Sequence, residues 1–222
     1  MSKNIKAFQH LLELFCYTEV MGKRKICKES DARLKMSHYL SSRFGIEEKD
    51  AEILADAFSL KKYKKKELII ADNEDIDKVC FVIDGLVRIY YYREGKEITN
   101  WFMGEHGFFM PVYHILTGKP NYNNYETLKA TVVLESSYRR LEKIYALHPQ
   151  LQLLGRKVME SYYAQFLAHS HDVLFLSAEE RYISLVEKKS ELLNLVALKH
   201  IASYLGISQE TLSRIRAKKI VE

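Results

Sequence analysis

The chain has 222 residues, 47% of them hydrophobic and 28% charged, with 34 Lys and Arg against 29 Asp and Glu and a formal net charge of +5. That length and apolar content suit two small domains with substantial cores, while the charge is too modest for nucleic-acid binding to follow from the total alone. Cys16, Cys27 and Cys80 are too few and too scattered for a disulfide scaffold, a zinc site or an iron–sulfur cluster, and no apolar run is long enough for a bilayer span or placed as a secretory leader. Reduced thiols and a cytoplasmic location are therefore expected.

Residues 1–35 hold eight Lys or Arg against four Asp or Glu, a net +4, so most of the excess charge lies at the N-terminus. Within them "IKAFQHLLELFCYTEV" at 5–20 predicts an amphipathic helix and "GKRKICKESDARLK" a solvated linker. The segment reads as an extension outside the main fold; the alternative is an added dimerisation or membrane-surface helix. From Met36, the positions of Ile46, Ala51, Ile53, Leu54 and Phe58 predict one or two short helices.

Between Leu60 and about Leu141 the texture changes to short β-rich runs, "ELIIA", "KVCFVIDGLVRIYYY", "KEITNWFM" and "YETLKATVVLESSYRRL". Turn signals at Asp84-Gly85, at Glu94-Gly95 and in "GKPNYNN" separate them, which predicts a small antiparallel barrel or sandwich. The period then lengthens. Leu147, Leu151, Leu154, Val158, Tyr162, Gln165, His169, Asp172 and Leu176 are three or four apart and predict a long helix over 149–176. Its stripe serves either to pack on the chain's own β domain or, as the polar Gln165 and His169 favour, to pair with a second copy. Ser177 with Glu180 three residues on forms a capping box, which opens a C-terminal domain over 177–222.

In that domain "IASYLGISQETLSRIRAKK" is a short helix, a glycine and a second helix. Ile201, Ala202 and Leu205 share one face, Gly206 permits the positive φ that ends the helix, and Ser208 can cap a successor carrying Thr211, Leu212 and Ile215 inward. Gln209, Glu210, Ser213 and Arg214 then point outward, followed by Arg216, Lys218 and Lys219. Gln and Arg can donate to purine edges, a carboxylate can accept from cytosine N4, and trailing cations can sit on phosphates. The plain alternative is a helical hairpin with a solvated basic face; the joint spacing of turn, cap and polar set favours DNA.

The order of parts resembles the Crp/Fnr family of bacterial transcription regulators, carried by "CFVIDGLVRIYYY" with Gly85 at its turn, "LSAEERYISLV" and above all "KHIASYLGISQETLSRI". The resemblance implies an α+β chain: an antiparallel jelly-roll β-barrel of the cyclic-nucleotide-binding type over 36–148, a dimerisation helix over 149–176 and a winged-helix-like helix-turn-helix over 177–222. It assigns base reading to Gln209, Glu210 and Arg214, and phosphate contact to Lys199, Ser208, Thr211 and Ser213, with Leu151, Leu154, Val158, Tyr162, Gln165, His169 and Leu176 along the dimer helix. The implied partners are palindromic double-stranded DNA, a second copy of the chain and RNA polymerase.

The sensor half departs from that pattern. Members that bind cyclic AMP carry a Gly-Glu pair before a short helix and then an Arg-Ser or Arg-Thr pair that neutralises the phosphate. Here Gly104-Glu105 comes too early, Met110-Pro111 stands at the first place and Asn124-Tyr125 at the second, while Phe166 and Leu167 occupy the positions that offer hydroxyls to adenine. Burying an anion without its counter-charge costs several kcal/mol, so cyclic AMP is not expected to bind. Phe108, Phe109, Tyr113, Asn124, Tyr125 and Phe166 are the candidates for an aromatic effector pocket; the competing and favoured reading is that these rings fill the barrel. The histidines His38, His106, His114, His148, His169, His171 and His200 form no closed ligand set, and Cys80 in a predicted strand is expected to be structural, so no metal or cofactor is predicted. No nucleophile with base and orienting group is present, and catalysis is not expected. The alternative reading is a sensor of an unknown small effector that acts mainly through protein interaction.

Overall fold

The computed structural model describes residues 28–74 and 76–219. The expected helix at 5–20, Cys16 and Cys27 lie outside the described residues. The chain divides into two compact units, one spanning Ile26–Met159 and the other containing Glu160–Glu222.

The first unit begins with α1 (Glu29–Phe44) and α2 (Glu48–Ala55). Ala32, Met36 and Leu40, four apart, are fully buried on one face of α1, and Gly45 at φ +66° ends it by donating its N–H to Ser41 O at 2.9 Å. The expected linker up to residue 35 is thus helical from Glu29 and its Ala32 belongs to the core. The four-residue spacing from Ala32 to Leu40 runs across the expected boundary at Met36.

Eight strands follow: β1 (Ser59–Tyr63), β2 (Leu68–Ile70), β3 (Lys78–Asp84), β4 (Val87–Arg93), β5 (Lys96–Met103), β6 (Phe108–Phe109), β7 (Asn124–Thr127) and β8 (Thr131–Ser137), with a short helix α3 (Val112–Thr117) between β6 and β7. They form two antiparallel four-stranded sheets, ordered β1-β8-β3-β6 and β2-β7-β4-β5. The jelly roll is therefore two sheets, not closed into a barrel. Gly85 also departs from expectation. It joins β3 of one sheet to β4 of the other, so Asp84-Gly85 is a crossing between sheets and not a hairpin turn. The hairpin is at Glu94-Gly95, both with positive φ (51° and 73°) as a two-residue turn between β4 and β5 requires.

One core lies where α1, α2 and the faces of β3 and β8 meet: Phe58, Phe81 and Leu134 are fully buried there with Leu54 and Leu141. Helix α4 (Tyr138–Leu147) and the first turns of α5 (Gln150–Phe175) close it, with Leu151 and Leu154 buried. In the second sheet Arg88 is buried at 1% exposure; its Nε donates to Thr99 Oγ1 at 3.0 Å, Nη2 lies 2.8 Å from Glu97 Oε2, and the guanidinium sits 4.1 Å over the Tyr90 ring.

In the second unit the last part of α5 is followed by α6 (Ala178–Lys189), α7 (Leu192–Leu195), α8 (Leu198–Tyr204) and α9 (Gln209–Lys219). The expected capping box is present: Glu180 N donates to Ser177 Oγ at 3.3 Å and Ser177 N to Glu180 Oε2 at 2.8 Å. Tyr182, Leu185, Leu192, Val196, Ile201, Leu205, Leu212 and Ile215 make its core. No strand, and so no wing, occurs among the described residues of this unit.

Gly85 has φ +140°, and a Cβ there would fall inside the van der Waals envelope of the Thr131 side chain. Gly85→Ala should destabilise the chain by roughly 2 kcal/mol or more in urea unfolding, through backbone strain together with the clash. A cost under about 0.5 kcal/mol, the range of an ordinary surface change, would show that this crossing is not a constraint on the fold.

Candidate nucleic-acid interface and sensor site

Helix α8 ends in a complete Schellman motif. Gly206, at φ +65°, donates its N–H to Ser203 O at 3.1 Å, and Ile207 donates to Ala202 O at 3.0 Å. Ser208 then caps α9 by accepting the Thr211 N–H at 3.1 Å, and the two hydroxyls lie 3.1 Å apart. The apolar side of α9 is fixed by Leu212, fully buried, and Ile215, which join Ile201, Ala202 and Leu205. That leaves Gln209, Glu210, Ser213, Arg214, Arg216 and Lys218 exposed, with Thr211 half-buried beneath Arg214 and its Oγ1 3.4 Å from Arg214 Nη2. Lys199 is exposed in the first turn of α8. The Lys219 side chain lies outside the described residues. The Glu210 carboxyl is held below the usual carboxylate range, first by the Ser208 hydroxyl and then by backbone N–H and Arg214, so it stands ready as an acceptor.

The end of α5 is tied into this unit by contacts that spacing alone did not reveal. The His169 ring stacks on Tyr204 of α8 at 4.3 Å and 9°, and Asp172 Oδ2 accepts from Ser184 Oγ at 3.1 Å and lies 3.4 Å from Lys188 Nζ. His169, read in sequence as part of a seam between two copies, is thus packed inside its own unit. Leu151 and Leu154, read the same way, are buried in the core of the first unit, against which Val158 also packs. Tyr162, Gln165 and Leu176 are half-buried. The apolar side chains left exposed on the helix after Met159 are Tyr163, Phe166, Leu167, Val173, Leu174 and Phe175, all of which lie off the predicted stripe. The stripe was real, but its period could not say which surface it meets.

The six candidate pocket residues do not form one cluster. Phe108 packs at 4.7 Å on Phe81 and 6.4 Å from Phe58, in the helix-covered core. Phe109 stacks on Tyr125 at 5.5 Å, and the Tyr125 hydroxyl donates to Met110 O at 2.9 Å. Asn124 is buried, and its Oδ1 accepts the Asp72 N–H at 3.1 Å. Tyr113 stands on α3 edge-on to Tyr122 at 5.3 Å, with both rings exposed. Phe166 is exposed in the other unit. Gly104-Glu105 falls in the turn between β5 and β6, before α3, where burial and then Asp84 raise the Glu105 carboxyl. Met110-Pro111 leads directly into α3. The buried Arg88 is engaged by Glu97, Thr99 and Glu126 and cannot stand in for a missing phosphate partner without leaving those carboxylates unpaired. The Cys80 thiol is buried and pushed up, first by burial and then by Glu135, which makes it unreactive. Among the described residues no group of three or more His, Cys, Asp or Glu is placed to hold a metal ion, and no described helix is long and apolar enough to cross a membrane.

This arrangement, a jelly roll with a short helix between its sixth and seventh strands, matches a known family model over residues 60–148. That model is the cyclic nucleotide-binding domain. Over most of its length the chain also has a fold similar to those of several solved structures. It is similar to the c-di-GMP-responsive global regulator CLP of Xanthomonas campestris, with a TM-score of 0.63 and 16% identity over 79% of this chain and 92% of that one. A mutant of CooA from Carboxydothermus hydrogenoformans gives 0.59 and 19% over 81% and 83%. FixK2 of Bradyrhizobium japonicum gives 0.57 and 24% over 72% and 83%. No curated protein sequence matches the chain. Within the stretch similar to the cyclic nucleotide-binding domain, the Phe109 and Tyr125 rings are stacked on one another.

His169 is lowered to about 4, first by burial and then by Lys189, with Lys188 and Arg181 adding to the effect and Asp172 opposing it. The unfolded chain therefore binds the proton more readily, so this ring's contribution to stability is complete above about pH 6.5 and is lost as the pH falls toward 4. Thermal unfolding of His169→Phe, which keeps an aromatic ring on Tyr204, should lose less stability than the parent across that window. Parallel pH profiles would contradict a neutral, half-buried imidazole stacked on Tyr204.

Proposed function

We propose that the chain is a homodimeric, DNA-binding transcription regulator of the Crp/Fnr type whose DNA binding does not depend on cyclic AMP. The observation that carries this is the outer face of α9. A Schellman turn and a serine cap present Gln209, Glu210 and Arg214 together, exposed and at the start of a helix whose inner face is fully committed to the core. In this reading those three contact base edges, while Lys199, Ser208, Thr211, Ser213, Arg216, Lys218 and Lys219 lie along phosphates. A second copy packs on the exposed apolar face of the long helix around Tyr163, Phe166 and Leu167, which brings two recognition helices to a palindromic site. RNA polymerase is the further partner such a regulator engages. The stacked Phe109-Tyr125 pair and the core position of Phe108 support a sensor domain filled by its own side chains, which leaves the nucleotide-free dimer competent for DNA.

Replacing one base-reading side chain separates the reading from general electrostatics. Arg214→Ala should cost about 1 to 3 kcal/mol on the preferred site and relax selectivity at one base pair, whereas Lys218→Ala should weaken all duplexes alike and lower the salt slope by about 0.9. Binding titrations against single-base variants of the site at several salt concentrations read both effects. Unchanged selectivity in Arg214→Ala would remove that residue from base reading.

A further inference from the structure

The polar side chains around the start of α9 are joined in one hydrogen-bonded chain. Besides accepting the Thr211 N–H at 3.1 Å, Ser208 Oγ lies 3.1 Å from Thr211 Oγ1, and Arg214 Nη2 donates to that Thr211 oxygen at 3.4 Å. The Ser208 hydroxyl is also hydrogen-bonded to the Glu210 carboxylate. Chemistry fixes the direction of the chain. A guanidinium only donates, an ionised carboxylate only accepts, and each hydroxyl has a single proton to give. Arg214 therefore donates to Thr211, Thr211 to Ser208 and Ser208 to Glu210, with each hydroxyl proton used once. A cation stands at one end and an anion at the other, which strengthens the two outer bonds.

We propose that Thr211 is a positioning residue for base reading, whose hydroxyl links Arg214 through Ser208 to Glu210 and holds both charged side chains in place before DNA arrives. The inference rests on the DNA reading above. Arg214 and Glu210 are exposed on long side chains, and without the chain each would give up its rotamer freedom at the moment of binding. The linkage leaves their reading groups free. The guanidinium keeps its other N–H groups for a guanine edge, and the carboxylate keeps acceptor positions for cytosine N4. Thr211 suits the task because it is β-branched and half-buried, next to the fully buried Leu212, and so has little freedom of its own to lose. Contact of this hydroxyl with a phosphate would strengthen every duplex alike, whereas positioning acts only where Arg214 meets its base pair.

The test titrates the parent, Thr211→Val, Thr211→Ala and Thr211→Ser with the preferred site, with its single-base variants at the pair that Arg214→Ala identifies, and with an unrelated duplex at one salt concentration. Preference is a ratio of affinities, so a partly unfolded variant does not alter it. The two variants without a hydroxyl should lose about three- to tenfold of the preference at that pair while binding the unrelated duplex as the parent does, and Thr211→Ser should keep the preference. Added to Arg214→Ala, Thr211→Val should remove no further preference, because the group it positions is gone. Full preference in either hydroxyl-free variant, an equal loss on every duplex, or a loss in Thr211→Ser as large as in Thr211→Val would overturn this inference and leave Arg214 as a base reader. A parent that prefers no site, or an Arg214→Ala variant as selective as the parent, would overturn the DNA reading and this inference with it.

Discussion

The direction of α9 depends on one backbone conformation. Gly206 adopts the left-handed region at the end of α8, and the two hydrogen bonds of the Schellman motif close only if it does. From that turn follows the rest of the candidate interface. Ser208 falls where its hydroxyl meets the first free N–H groups of α9, Leu212 and Ile215 drop into the core, and the polar set is left facing outward. A side chain at 206 would have to hold a strained φ and would also approach Arg181 Nη1 to 3.2 Å. The candidate base-reading residues contribute little to this geometry. They are exposed because every neighbour with a packing role is used elsewhere.

The β unit shows the complementary case, an interior occupied by its own side chains. A site for a cyclic nucleotide needs backbone N–H groups and a cation converging on a phosphate. Here the residues around α3 are Met110, Pro111, Tyr113 and Tyr122, the strand that would supply the cation carries Asn124 and Tyr125, and Tyr125 stacks on Phe109 from the facing sheet. Ring stacking and a hydrogen bond to Met110 O hold this arrangement.

Much of this was legible in the sequence because it is local. The capping box at Ser177, the glycine turn at 206 and the cap at Ser208 are each set by residues within four positions of one another, and each is present in the structure. What failed was partner choice. Asp84-Gly85 carries the same signal whether it folds a hairpin or crosses between sheets, and only the pairing of β3 with β8 and of β4 with β5 distinguishes the two. The two-residue β6 is too short to show alternation, and β1 carries two lysines among its five residues. The long-helix stripe has the right period, yet Leu151, Leu154 and His169 use it to pack within their own chain. Periodicity names a face; it does not name what covers that face.

The central claim is that the dimer reads a specific DNA sequence with no nucleotide bound. Selection of the purified, ligand-free protein against a randomised duplex pool at near-physiological salt tests it most directly. The account predicts enrichment of a sharp palindromic motif with half-sites about one helical turn apart. Weak binding that disappears with added salt and enriches no motif would contradict it.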